Sequence, residues 1–142
     1  MAHLQKKAEP APERGASLFI LQLLRGILIA VGVSVLGVLI FALCLKMGWL
    51  AESQIPMVNQ IIKILSIVVG VWFGLGRGSD QGLAKGGLIG LVYMGLGLGM
   101  FCLSSGASAA PLTWVIDLGS GLVAGGIAGA LTVNLRRARK KR

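Results

Sequence analysis

Between Arg25 and Lys46 the chain runs for twenty residues, Gly26 to Leu45, without a charge. As an α-helix that run is about 30 Å long, the thickness of a bilayer's hydrocarbon layer. Three further apolar stretches follow, over roughly 57–76, 83–103 and 112–135. Backbone in lipid must satisfy its own polar groups, which disfavours a strand reading of such stretches. The expected fold is therefore an all-α membrane protein with four transmembrane helices. They run over about 26–45, 57–76, 83–103 and 112–135, as two helical hairpins. With 55% hydrophobic and only 13% charged residues in 142, a soluble domain of this size is excluded.

The segments between the apolar runs are short and carry punctuation. Residues 1–16 are polar, include Pro10 and Pro12, and are expected to form a flexible tail. Leu18 to Leu24 then leads in along the interface, and Arg25 snorkels to the headgroups. A cleaved signal peptide fits poorly, because the uncharged run is too long and no A-x-A site follows. Leu43 likewise argues against lipoprotein processing at Cys44. Lys46 to Ile55 forms a loop with Trp49 as an interfacial anchor, and Pro56 opens the second helix. The turn GRGSDQG joins helices two and three, with Ser79 or Asp80 as the expected cap. SSGASAA leads to Pro111 and the fourth helix. Residues 17–135 thus form the membrane domain, and 136–142 a basic tail.

Charge fixes the expected orientation. The N-terminal part (Lys6, Lys7, Arg14, Arg25), the central turn (Arg77, Lys85) and the C-terminal RRARKKR hold twelve of the fourteen Lys and Arg. Under the positive-inside rule both termini are cytoplasmic. The net charge of +9 is therefore a topology signal, and the tail is expected to bind anionic lipid headgroups. Without aromatic residues interleaved to stack on bases, it is not expected to bind nucleic acid.

Glycine recurs every fourth residue in three rows: Gly70/Gly74, Gly82/Gly86/Gly90 and Gly121/Gly125/Gly129. That spacing puts gaps on one helix face and lets a neighbouring backbone approach closely, so the rows are expected to pack helices. Packing within one chain is the first reading, and an interface between copies the second. The Gly95/Gly97/Gly99 alternation instead places glycines on different faces, predicting a flexible stretch approached from several sides.

The two halves share a pattern of helix, loop, proline, helix. A shift of 60 aligns Arg25-Gly26-Ile27-Leu28-Ile29 with Lys85-Gly86-Gly87-Leu88-Ile89. A shift of 55 aligns Pro56 with Pro111, Gly70 with Gly125 and Gly74 with Gly129. A duplication would be a parallel repeat about an axis along the membrane normal. Shared Gly/Leu/Ile-rich composition is the competing explanation. The alignment also places Lys63, seven residues after Pro56, at a depth similar to Asp117, six after Pro111. A charge near a helix centre costs about 2.5–3.5 kcal/mol on insertion scales, so these two either pair across helices or snorkel separately.

Chemistry-bearing motifs are sparse. His3 stands alone in the tail, and Cys44 and Cys102 have neither metal-ligand spacing nor an expected disulfide. Gly119-x-Gly121-x-x-Ala124 formally matches a dinucleotide fingerprint but lies in an apolar helix with no preceding strand. GRGSDQG could cradle an anion on its backbone N–H groups, but a plain turn with Ser79 or Asp80 capping the third helix is the favoured reading. There is no nucleophile–base set and no paired carboxylates, so no catalytic residue, cofactor or metal is expected, and the protein is not expected to be an enzyme.

The stretches RGILIA, AESQIP, VGVWFGLGRGSDQGLAKGGLIGLVY and GGIAGALTVNL together resemble the YrzE-like family, small four-helix membrane proteins of Firmicutes. The likeness covers about four-fifths of the chain from Arg25, with the central stretch the specific part. Gly78-Ser79 departs from the family, which usually has a second basic or small residue after the first Arg of the turn. The resemblance implies four helices in the cytoplasmic membrane and transfers no site residues. Two functions stay open: a small non-enzymatic accessory or assembly protein with a membrane-protein partner, or an oligomeric channel, carrier or holin-like pore-former using Lys63, Asp117, Asn59 and Gln60.

Overall fold

The computed structural model describes residues 12–76, 81–106 and 110–141, with side chains from residue 15 onward. Four helices follow one another: α1 (Pro12–Lys46), α2 (Ile55–Gly74), α3 (Gly82–Ser105) and α4 (Pro111–Lys140). All four are long and apolar enough to cross a membrane, as expected for a multi-pass membrane protein. A 3₁₀ turn, Glu52–Gln54, precedes α2. α1 pairs with α2 and α3 with α4, so the chain forms two hairpins, joined mainly where α2 meets α4.

Helix ends depart from the sequence expectation in three places. α1 begins at Pro12, not beyond residue 16, and continues without a break through the expected lead-in and past Arg25. Proline fits the first helical position, where its missing N–H has no partner to lose. α4 continues through most of the expected basic tail to Lys140. Arg and Lys are good helix formers, and their charge favours the negative end of the helix dipole. α2 stops at Gly74, because Leu75 is extended (φ −68°, ψ 119°). The expected caps Ser79 and Asp80, with Arg77, lie outside the described residues. The N-cap position of α3 is Gln81, whose side chain makes no cap bond.

Two glycines end helices by their handedness. Gly48 has φ +74°, and the bonds Gly48 N–H to Leu45 O and Trp49 N–H to Cys44 O form a Schellman motif closing α1. Gly106, at φ +61°, closes α3 through its N–H to Cys102 O.

Within the hairpins the glycine rows set the spacing. On α3, Gly82, Gly86 and Gly90 lie against Gly129, Gly125 and Gly121 of α4 in antiparallel order. A Cβ built on any of these six would fall under 3.0 Å from backbone of the facing helix. In the first hairpin Gly70 and Gly74 of α2 meet α1 at Gly26 and Ala30: a Cβ on Gly70 would lie 2.6 Å from Gly26 O. The two hairpins use corresponding contacts. Gly26 sits between Gly70 and Gly74 as Gly86 sits between Gly125 and Gly129, the same residues aligned by the shifts of 60 and 55. Ala30 likewise touches Gly70 where Gly90 touches Gly125.

Gly95, Gly97 and Gly99 behave differently from expectation. A Cβ on Gly97 or Gly99 would have no atom within 4 Å, and one on Gly95 would touch only the Leu118 side chain at 3.8 Å. Glycine-to-glycine contact stops at Gly90 and Gly121, so this stretch is a regular, open helix face and not a crowded one.

The core lies where the hairpins meet. Ile67 and Val71 of α2, and Leu75 just beyond its end, pack with Ile89, Tyr93 and Met94 of α3, Ile27 and Ala30 of α1 and Ala128 of α4. Two buried hydroxyls bond one turn back, Ser66 to Ile62 O and Thr132 to Ala128 O, so neither is left unsatisfied.

Candidate functional site: polar contacts between the hairpins

Each hairpin is closed by backbone approach, but the contacts that join one hairpin to the other include its charged groups. Lys63 lies one turn before Ser66 and Ile67, on the stripe of α2 that faces inward. Asp117 similarly lies one turn before the buried Gly121 of α4. Because α2 and α4 run in the same direction, the two residues meet near the loop end of the bundle. Lys63 Nζ is 3.5 Å from Asp117 Oδ2, with side chains 29% and 15% exposed. The separation exceeds the 2.7–2.9 Å of a charge-assisted hydrogen bond, so this is an ion pair with spare hydrogen-bonding capacity. Asn59, one turn before Lys63, is exposed, and Gln60 is half-buried.

At the opposite end Arg136 of α4 reaches the end of α2. Its guanidinium donates to Leu75 O and Trp72 O, satisfying carbonyls that a terminating helix leaves without partners. The positive group also sits at the negative end of the α2 dipole. Nearby, Lys85 Nζ of α3 donates to Gln22 Oε1 of α1 at 3.4 Å and lies 5.7 Å from the centre of the Phe19 ring. The seam between α2 and α4 therefore has a charged contact at each end and apolar packing between them.

The Arg136 contact escaped sequence reading, which counted the residue only as tail charge. Replacing it with Met keeps the apolar stem and removes both donors. Bonds to charged groups are worth about 1.5–3 kcal/mol, so the end of α2 should open more readily by that amount. Amide exchange at Leu75, whose N–H bonds Val71 O, should quicken at least about tenfold. Exchange at Ile67, in the middle of α2, should stay unchanged.

The remaining candidates stay apart. Cys44 and Cys102 are free, half-buried thiols. Among the described residues no group of three His, Cys, Asp or Glu is placed to hold a metal ion. An apolar groove of about 760 Å³ runs along α3, floored by Gly95 and Gly99 and walled by Leu91, Leu96, Met100 and Leu103.

The family model described as "Protein of unknown function (DUF3792)" matches residues 19–132, which include both hairpins and the Lys63–Asp117 pair but end before Arg136. No curated protein and no solved structure matches the chain.

Proposed function

The chain belongs to the DUF3792 family, and from that premise we propose that it is a small non-enzymatic accessory or assembly protein that offers α1 to a membrane-protein partner. The observation carrying this reading is the exposure of α1. Its most apolar window is 6% buried, against 39% for α3, although it is the most hydrophobic of the four. Leu28, Val35, Leu36 and Leu39 are among its outward residues, each more than half exposed. In a bilayer such a face meets either lipid or another helix, and association is driven by packing.

The cytoplasmic membrane is the proposed location, with both termini inside. The likeness to YrzE-like proteins of Firmicutes supports the membrane type, and the basic residues at Arg25, Lys85 and 136–142 support the orientation. Arg139 and Lys140, exposed at the end of α4, are suited to anionic headgroups at about 1 kcal/mol each.

A photo-crosslinking residue at Leu28, Val35 or Leu39, with natural expression in native membranes, tests the reading. One heterologous protein captured from all three α1 positions, and absent with the probe at Val123 of α4, is the expected result. Lipid adducts alone would overturn it. A self-ladder ending at a fixed number would favour the second reading, an oligomeric carrier or channel. That reading is supported by the inward Lys63–Asp117 pair, since ionisable groups inside membrane bundles commonly line substrate paths.

A further inference from the structure

The Lys63–Asp117 pair carries an inference that goes beyond a partner for α1. About 12 Å along α2 from Ile55 and about 9 Å along α4 from Pro111, it lies about two turns in from the loop end, on stretches apolar enough to cross a membrane, where polar groups need partners. Among the described residues Lys63 and Asp117 have no side-chain hydrogen bond, and neither does the Asn59 carboxamide one turn nearer the loop end. The ammonium has three donors, the carboxylate two acceptor oxygens and the carboxamide both kinds. Beneath them Ile67 and Val71 are fully buried, so the polar group is closed toward the terminal end.

We infer that Lys63, Asp117 and Asn59 form a binding site for a small zwitterion that joins a primary ammonium to an oxyanion such as phosphate. The choice of class follows from the charges. A lone anion drawn to Lys63 would compete with Asp117 and leave the carboxylate without its counter-charge. A lone cation would do the same to Lys63. A zwitterion brings its oxyanion to Lys63 and its ammonium to Asp117, so four charges close into an alternating ring. The ammonium hydrogens bond the carboxylate, which a quaternary ammonium cannot do, and Asn59 fills a remaining position. The same chemistry occurs in free phosphoethanolamine and in the headgroup of phosphatidylethanolamine.

Trp114 lies one turn before Asp117 and is half-buried, so it can report occupancy. The full chain with Trp49→Phe and Trp72→Phe is placed in phosphatidylglycerol nanodiscs and titrated with O-phosphoethanolamine. In a second arm, phosphatidylethanolamine is added to the disc in steps. A saturable change in Trp114 fluorescence is expected in one arm or both, and which arm responds identifies the source. Phosphate alone, ethanolamine alone and phosphocholine should each bind at least about tenfold more weakly. Lys63→Gln with Asp117→Asn should lose the response by a similar factor with helical circular dichroism retained, and Lys63→Arg should keep it. Equal response to the halves and the whole, survival of the response in the double variant, or no saturable change in either arm overturns the assignment. If the double variant fails to fold, the comparison of whole with halves on the unchanged pair decides alone.

Discussion

Gly125→Leu is expected to prevent α3 and α4 from assembling, whereas Gly97→Leu on the same hairpin leaves the protein as stable as before. A Cβ at Gly125 would be forced onto the Gly86 carbonyl and lie 3.1 Å from Gly90 Cα, and both are backbone atoms that no rotamer change can move aside. Overpacking a core that can yield costs about 1–3 kcal/mol. Here the helices themselves must part, which also separates Gly82 from Gly129 and Gly90 from Gly121. A loss of at least about 4 kcal/mol is expected, a large share of the 5–15 kcal/mol that holds a typical domain together. At Gly97 an added Cβ meets nothing within 4 Å, so the leucine is expected to stay within about 0.5 kcal/mol. Detergent titration in mixed micelles, followed by energy transfer between labels on α3 and α4, reads both. Equal behaviour of the two variants would mean that the glycine rows do not set the helix spacing.

That contrast also marks where the sequence was informative. An uncharged run of bilayer length, followed by segments opened at Pro56 and Pro111, leaves little freedom but four helices in two hairpins. Rows spaced by four pointed to close helix packing, and on α3 and α4 two rows of equal length face each other. The facing residue for Gly70 and Gly74 was less visible, since Gly26 has no glycine four residues to either side on α1, where Gln22 and Ala30 stand. Its alignment with Gly86 at a shift of 60 was the available signal. Gly97 and Gly99 misled because composition cannot show where two helices stop touching. Arg136 could not be read as a cap, since its role needs two helix ends together: α2 must stop at Gly74 while α4 runs on past Leu135. Such end-to-end relations arise from tertiary packing, which local propensity does not encode.

Asp117→Leu should destabilise the protein by about 2–4 kcal/mol, and adding Lys63→Leu should restore most of that loss. Removing one member of an inward pair strands the other charge, at about 3–5 kcal/mol when burial is complete. Lys63 is 29% exposed, so its long stem can carry the ammonium part of the way to water, and the expected cost is reduced accordingly. Two leucines leave no charge to strand, and apolar replacement of a whole pair is often neutral or stabilising. A double-mutant cycle on reversible unfolding should therefore give a coupling energy of about 1–3 kcal/mol. Additive losses would instead mean that each residue reaches the surface by itself. Full recovery in the double variant has a sharper meaning. A chain that is equally stable without the pair does not need it to fold, so two charges placed where lipid penalises them would have to be explained by something they bind or move.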